Sequence, residues 1–374
     1  TPTKFFAWTP IVSLDTHKPL ILYIHGRIHG ISVGARQLGI LPHSGWQESR
    51  DTSGMGYPRR MTVVPDAPGF YHCISRCVRR AWLCGEDPVS GRNFDHRRGW
   101  IETRLLDLAK SFAVSLHAWA VMSNHTHVVL RIDPALPARW SDDEVARRWA
   151  RLSRTLTPRS GEELERRVRV LQMQPDRLGH LRRRLGSLSW FMRFLNEAVA
   201  REANAEDACT GRFWEGRYKC QVLLDEAAVL ACMAYVDLNP IRAGIADDLE
   251  GSDFTSIRQR LRALEGDEGL AVEPLKPLVG ETEQSPAMKT RDYVALLRWT
   301  AERTGAESAN RIAASRPDPS VPVRASPDWW IGSVFRIEDA FGCAVGLPLS
   351  LQAFAVATGR RLLRGLSRRT VAVV

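Results

Sequence analysis

Asn124-His125-Thr126-His127-Val128-Val129-Leu130 sets two histidines one residue apart at the head of an apolar, β-branched run. Side chains alternate along a strand, so His125 and His127 face one way while Thr126, Val128, Leu130 and Ile132 face the other. Imidazole is the commonest protein ligand for divalent metals, and two on one face, roughly 7 Å apart along the backbone, can converge on one ion. A histidine pair on a solvated sheet face is the plain alternative. Two ligands do not complete a site, so the remainder of the chain is read for a third.

The flanking sequence supplies a sheet. Val114 to Met122 reads as a strand, and Ser123-Asn124 is turn chemistry leading into the histidine strand, so the two form an antiparallel hairpin with the histidines at its mouth. Phe70-Tyr71-His72-Cys73-Ile74-Ser75 reads as a further strand, followed by a basic turn of Arg76, Arg79 and Arg80. Ile101, Leu105, Leu108 and Phe112 recur at helical spacing and predict an amphipathic helix over residues 98–111.

Pro134 and Pro137 end the histidine strand, and an arginine-rich helical segment follows over about residues 138–205. Ser141-Asp142-Asp143-Glu144 is a capping box, and Arg147, Arg148, Arg151 and Arg154 decorate the helix it starts. Arg182-Arg183-Arg184 precede an apolar stripe of Leu188, Phe191, Leu195 and Val199. A solvated helix face is the simplest reading of such runs. Interleaving with Trp149, Trp190 and Phe191 points instead to a nucleic-acid surface, where cations hold phosphates and rings stack on bases. Gly211 to Lys219 is a loop or edge strand that adds Arg212, Arg217 and Lys219.

Asp225, a good N-cap, opens a helix that runs to Leu238 and is stopped by Pro240. It is apolar on nearly every side and should be buried. Tyr235 and Asn239 interrupt its last turn on one face. A core tyrosine with one hydrogen bond is the ordinary reading. If this face packs beside His125 and His127, the Asn239 carbonyl oxygen completes a two-nitrogen, one-oxygen site and Tyr235 faces the ion. Such a site suits phosphodiester cleavage, with a divalent ion polarising the phosphate and the phenol attacking in line. A phosphotyrosyl ester conserves the energy of the broken bond for rejoining.

The composition agrees with an anionic partner. The 374 residues carry a net charge of +10, mostly from arginine, whose planar fork suits phosphate. Hydrophobic content of 44% argues against wholesale disorder. Seven cysteines without a repeated CxxC spacing read as free thiols in a reducing compartment; Cys73, Cys77 and Cys84 lack the spacing of a zinc knuckle. No apolar run spans a bilayer, so no membrane partner is expected, and with the thiols of a reducing compartment and an anionic partner a cytoplasmic, nucleoid-associated location is the expectation. Residues 1–60 lack a clear period and do not form a signal peptide. Met61 is a plausible start, which makes residues 1–60 an upstream extension and His25 with His29 a decoy pair.

His125-Thr126-His127, the Tyr235-Val236-Asp237-Leu238-Asn239-Pro240 segment with Ile241-Arg242-Ala243-Gly244, and the Gly211 to Tyr218 element together resemble the single-tyrosine HUH transposases, especially the REP-associated tyrosine transposases. The resemblance covers residues 61–260 and implies an α+β, ferredoxin-like antiparallel sheet with helices. It further implies Mg²⁺ or Mn²⁺ held by His125, His127 and Asn239, and Tyr235 as nucleophile. The substrate it implies is single-stranded DNA beside a hairpin, cut to a 5′-phosphotyrosine and a free 3′-hydroxyl. Thr126 stands where the family usually has a large hydrophobe, and the arginine-rich insertion exceeds what a minimal domain needs.

Beyond residue 260 a linker over 261–290 and a mainly helical region over 291–374 are expected, with helices at 291–303 and 349–365 separated by a proline-rich stretch. Either a monomer or a homodimer is compatible with the sequence. Two other functions fit the same residues: an HUH replication initiator or relaxase, and a hairpin-binding protein whose catalysis has lapsed. Neither a second adjacent tyrosine nor an extra histidine stands near Tyr235 to favour the initiator.

Overall fold

Gly69–Arg76 forms β1, buried along its length except at its ends. His96–Ser111 forms α1, whose Ile101, Leu105 and Leu108 are buried. Val114–Val121 (β2) and His125–Ile132 (β3) are the expected antiparallel hairpin, with Met122 N donating to His125 O at 2.9 Å across the turn. The insertion folds as α2 (Asp142–Arg151), α3 (Gly161–Gln172), α4 (Pro175–Leu185) and α5 (Leu188–Glu206). Ser141 caps α2 by accepting from Glu144 N, as its capping box predicts. Lys219–Leu223 (β4) follows, then α6 (Glu226–Asp237), α7 (Asn239–Arg242), α8 (Ser256–Gly266) and α9 (Thr290–Ala301). The chain continues as α10 (Pro327–Ala340), β5 (Ala344–Val345) and α11 (Pro348–Ala357).

This computed structural model describes residues 62–64, 66–78, 83–87, 91–152, 160–280, 284–302, 325–360 and 363–365. The expectations for residues 1–60, Met61, Arg79, Arg80 and Arg154 fall outside the described residues.

The five-stranded sheet has the order β2-β3-β1-β4-β5. Its first four strands, with α1 between β1 and β2 and the helical insertion between β3 and β4, reproduce the βαββαβ order of a ferredoxin-like domain, every neighbouring pair antiparallel. The fold is therefore α+β. A bulge between Leu116 and Ala118 keeps Leu116 opposite Leu130 and Ala118 opposite Val129.

Each face of the sheet has its own cover. Trp119 donates its indole N–H to Glu102 on α1, and Ser75 bonds Asn196 on α5, so these helices lie over the face that carries Thr126, Val128 and Leu130. The opposite face, with His72, Ile74, Arg76, His125 and His127, lies under α6. The alternation read from the histidine strand thus separates a plain core from a face that carries polar groups.

The interval 261–290 does not behave as a free linker. Leu116 exchanges backbone hydrogen bonds with Leu278 and Val279, which cover the β2 edge. Gly280, at φ +89°, lies so close that an added Cβ would meet Val114 O at 2.3 Å, so no larger residue fits. The C-terminal residues likewise extend the sheet: β5 pairs in parallel with β4. Asp225 accepts from Leu347 N at 2.8 Å, tying that strand to the start of α6. The helix expected over 349–365 ends at Ala357, and α10 was not expected.

Candidate active site

The α6 helix exists for the reasons its sequence states. Asp225 accepts from Ala228 N at 2.8 Å as its N-cap, and every residue from Ala227 to Asp237 is buried. Pro240 does not end the helical path as expected. Leu238 stays in the α region, and Pro240 falls in the first turn of α7, where its missing N–H costs nothing. Asn239 therefore remains on the Tyr235 side of the path.

Asp237 holds this segment from behind. Its carboxylate accepts from the Ser256 hydroxyl, from Ile257 N at 3.0 Å and from the Tyr293 hydroxyl at 2.6 Å, joining α6 to α8 and α9. Burial raises its pKa to about 6 despite these donors and the nearby Arg260. A buried carboxylate with three donors fixes the angle at which α6 crosses the sheet.

On the sheet, His125 and His127 share a face as the strand period requires, with ring centroids 4.7 Å apart and planes at 81°. His125 is partly exposed and its Nδ1 meets Asn124 Oδ1 at 2.5 Å; His127 is fully buried. The His127 Nε2 lies 3.0 Å from the Asn239 side-chain nitrogen Nδ2. Tyr235 packs its ring edge-on to His127, centroids 5.4 Å apart. The structure thus brings His125, His127, Asn239 and Tyr235 into one cluster. Burial pushes the His125 imidazole down to about 4 and His127 well below its ordinary value, so both rings are neutral lone-pair donors near neutral pH.

Two members of the cluster escaped the sequence reading. His72 on β1 meets His127 Nδ1 through its Nε2 at 2.9 Å. Its strand was foreseen, but its juxtaposition with His127 depends on the β1–β3 register, which a sequence does not display. Glu338 on α10 accepts the Tyr235 hydroxyl at 2.6 Å. A signal for that helix existed: Ser326 followed by Pro327 and Asp328 is an N-cap, a proline at the first helical position and an acid in the first turn.

The environment sets the phenol and the carboxylate apart. Burial, together with the Glu338 charge, raises the Tyr235 pKa far above the ordinary phenol value. Burial raises the Glu338 carboxyl, but it lies below its ordinary value, and the hydrogen bond from the Tyr235 hydroxyl is the largest of the causes that lower it. At rest, an un-ionised phenol therefore faces an ionised carboxylate. Arg242 lies 5.0 Å over the Tyr235 ring and donates to Phe335 O at 2.6 Å.

Among the described residues no three His, Cys, Asp or Glu side chains form a metal-binding group, and Cys73, Cys77 and Cys84 are buried. The side chain beside His127 that could serve as a third ligand is the Asn239 amide. The Asn239 position fits: two atoms 3.0 Å apart are spaced as neighbouring ligands of an octahedral ion with bonds of about 2.1 Å. Nitrogen and oxygen of an amide are interchangeable by rotation, so the edge that meets His127 can present oxygen. Two imidazoles and one amide oxygen suit Mn²⁺ better than Mg²⁺, which prefers oxygen.

The basic residues divide by position. Arg76 pairs with His125 across β1 and β3 and is exposed, and Lys219, also exposed, begins β4 on the same face. Glu215 N bonds Arg76 O at 2.9 Å, which brings the loop carrying exposed Arg212 and Arg217 to that end of the sheet. Helices α2 to α4 of the insertion pack at the other end, where Ala113 N bonds Leu185 O, a strand length of about 25 Å from His125. There Arg147 pairs with Asp143 and Glu165, Arg148 with Glu144, and Arg182 with Asp142 and the carbonyls of Pro137 and Trp140. Arg183 bonds His180, Arg184 lies 4.4 Å over Trp190, and Arg151 is exposed. Two of the three rings read as base-stacking groups are core instead: Phe191 and Trp149 are buried, and Trp149 packs edge-on to half-buried Trp190 and to Phe194.

No family model matches the chain, and no curated protein does. One solved structure is similar to it. That structure is of a REP-associated tyrosine transposase bound to a REP hairpin. It is 11% identical, covers 59% of this chain and 92% of its own, and superposes at a TM-score of 0.31. The superposition is loose, and the residue roles here rest on their own geometry. No helix among the described residues is long and apolar enough to cross a membrane.

Proposed function

We propose that the chain is a transposase-type DNA strand transferase, which cuts single-stranded DNA through a Tyr235 phosphodiester and a divalent cation, Mg²⁺ or Mn²⁺. The observation that carries the reading is the placement of Tyr235: its ring lies against His127 and its hydroxyl on an ionised Glu338. His125, His127 and Asn239 would hold the cation. When bound, it supplies Lewis-acid polarisation of the scissile phosphate and neutralises developing charge.

The chain's own residues account for the proton and the bond changes. Tyr235 Oη transfers its proton to Glu338, the Oη–P bond forms, and the P–O3′ bond breaks. The leaving 3′ oxygen keeps the bonding pair and takes a proton from water. The products are a 5′-phosphotyrosine and a 3′-hydroxyl. In the reverse step a 3′-hydroxyl returns its proton to solvent hydroxide and attacks the phosphorus, the Oη–P bond breaks, and Oη recovers its proton from Glu338. Arg242 over the ring and a half-buried carboxylate beneath it hold the phenol in one rotamer for both directions.

The substrate class follows the motif resemblance of the sequence, single-stranded DNA beside a hairpin. Exposed Arg76, Arg212, Arg217 and Lys219 near the histidine end of the sheet supply the phosphate contacts. A lapsed hairpin-binding protein is the second reading; the intact pairing of Tyr235 with Glu338 favours catalysis. The test is incubation of end-labelled hairpin-bearing single-stranded DNA with the protein and Mn²⁺. Cleavage that a chelator abolishes supports the reading, and binding without any cleavage opposes it.

A further inference from the structure

His127 is fully buried, and its ring is held on both sides. One side continues as an unbroken chain of side chains across the sheet. Gln221 Nε2 donates to Gly342 O at 2.8 Å, Gln221 Oε1 meets His72 Nδ1 at 3.0 Å, His72 Nε2 meets His127 Nδ1 at 2.9 Å, and His127 Nε2 meets Asn239 at 3.0 Å. The chain is built by register: His72 pairs with Gln221 between β1 and β4, and Ile74 pairs with His127 between β1 and β3.

The direction of every bond follows from its one-way end. A backbone carbonyl only accepts, so the amino end of Gln221 faces Gly342 and its oxygen faces His72. An amide oxygen only accepts, so His72 carries its proton on Nδ1. His72 is fully buried, and neither ring nitrogen touches a carboxylate, so the ring is neutral and its Nε2 is a lone pair. His127 Nδ1 must then be the donor, which leaves His127 Nε2 bare and facing Asn239.

We propose that His72 and Gln221 are positioning residues that lock His127 into its Nδ1–H tautomer and so present its Nε2 lone pair as a ligand. The proposal rests on the reading of His127 and Asn239 as a metal site. A ring with its proton on Nε2 would point hydrogen at the ligand position, and buried His127 has no solvent to correct it. Partners of this kind fix ring orientation and tautomer, and their loss typically weakens metal affinity roughly 10- to 100-fold. The relay also draws in the C-terminal residues, because Gly342, next to β5, sets the orientation of Gln221 and through it the tautomer two strands away.

The test is ¹⁵N NMR of the full chain, labelled at histidine and free of metal, with Mn²⁺ binding measured separately by calorimetry. In the wild type both rings should show a protonated Nδ1 and an unprotonated Nε2. His72→Leu should lose that pattern at His127 and bind Mn²⁺ roughly 10- to 100-fold more weakly. His72→Gln, whose Oε1 stands where the imidazole Nε2 stood, should restore both. A protonated Nε2 on His127 in the wild type overturns the proposal, and so does wild-type Mn²⁺ affinity in folded His72→Leu. The wild-type spectrum decides the matter even where His72→Leu fails to fold. Correct tautomers with no Mn²⁺ binding leave the relay standing and overturn the metal reading instead.

Discussion

The Tyr235 hydroxyl donates to the Glu338 carboxylate at 2.6 Å, across 103 positions of sequence. The nucleophile proposed on α6 thus meets its proton acceptor on a helix outside the residues that resemble a known family. Glu338→Gln keeps an acceptor oxygen for the phenol but removes the base. Cleavage of hairpin DNA should slow by roughly 100-fold or more, with hairpin affinity unchanged. A single-turnover rate equal to wild type would remove Glu338 from the chemistry.

Asp237 predicts stability rather than activity. Asp237→Ala deletes the acceptor of three buried donors and should cost about 3 kcal/mol in denaturant unfolding. Tyr293→Phe removes one donor and should cost about 1 kcal/mol. Equal losses in the two variants would show that the carboxylate does not organise α6, α8 and α9.

Burial pushes the Cys84 thiol up to about 12 and the Cys77 thiol up to about 11. A raised folded-state value means that the stability these protonated thiols contribute is complete below the ordinary thiol pKa and declines as pH rises through 11 to 12. At about pH 8 they stay protonated and unreactive. Of the seven cysteines only Cys209 is exposed, so native alkylation should add one label by mass spectrometry, and denaturant should add the other six. Early labelling of Cys77 or Cys84 would contradict their burial.

The arginines should separate into two groups. Arg76→Ala and Lys219→Ala should each lower the salt dependence of single-stranded DNA binding by about 0.7 in log–log slope. Arg182→Ala should leave the slope alone and cost about 1–2 kcal/mol, because its guanidinium bonds two carbonyls and Asp142. A slope change in Arg182→Ala would place DNA on the insertion.

The legible part of this protein was its local chemistry. The histidine strand, its hairpin, the Asp225 cap and the Tyr235 to Asn239 spacing all depend on neighbours in sequence, and each folds as its pattern states. His72 and Glu338 were not legible because their importance depends on strand register and on the docking of a distant helix. The ion partners of the arginine runs were illegible for a related reason. Sequence shows where charge is dense but not that Asp142, Asp143, Glu144 and Glu165 stand opposite to neutralise it. The interval 261–290 looked like a linker because irregular backbone covering a sheet edge has no period of its own.

Strand transfer of the proposed kind requires Tyr235 to become covalently joined to DNA. The direct measurement is peptide mass spectrometry of the protein after reaction with hairpin-bearing single-stranded DNA and Mn²⁺, followed by nuclease and protease digestion. A 5′-phosphonucleotide is expected on the peptide containing Tyr235 and is absent in Tyr235→Phe. An adduct on another residue, or cleavage that persists in Tyr235→Phe, would contradict that role for Tyr235.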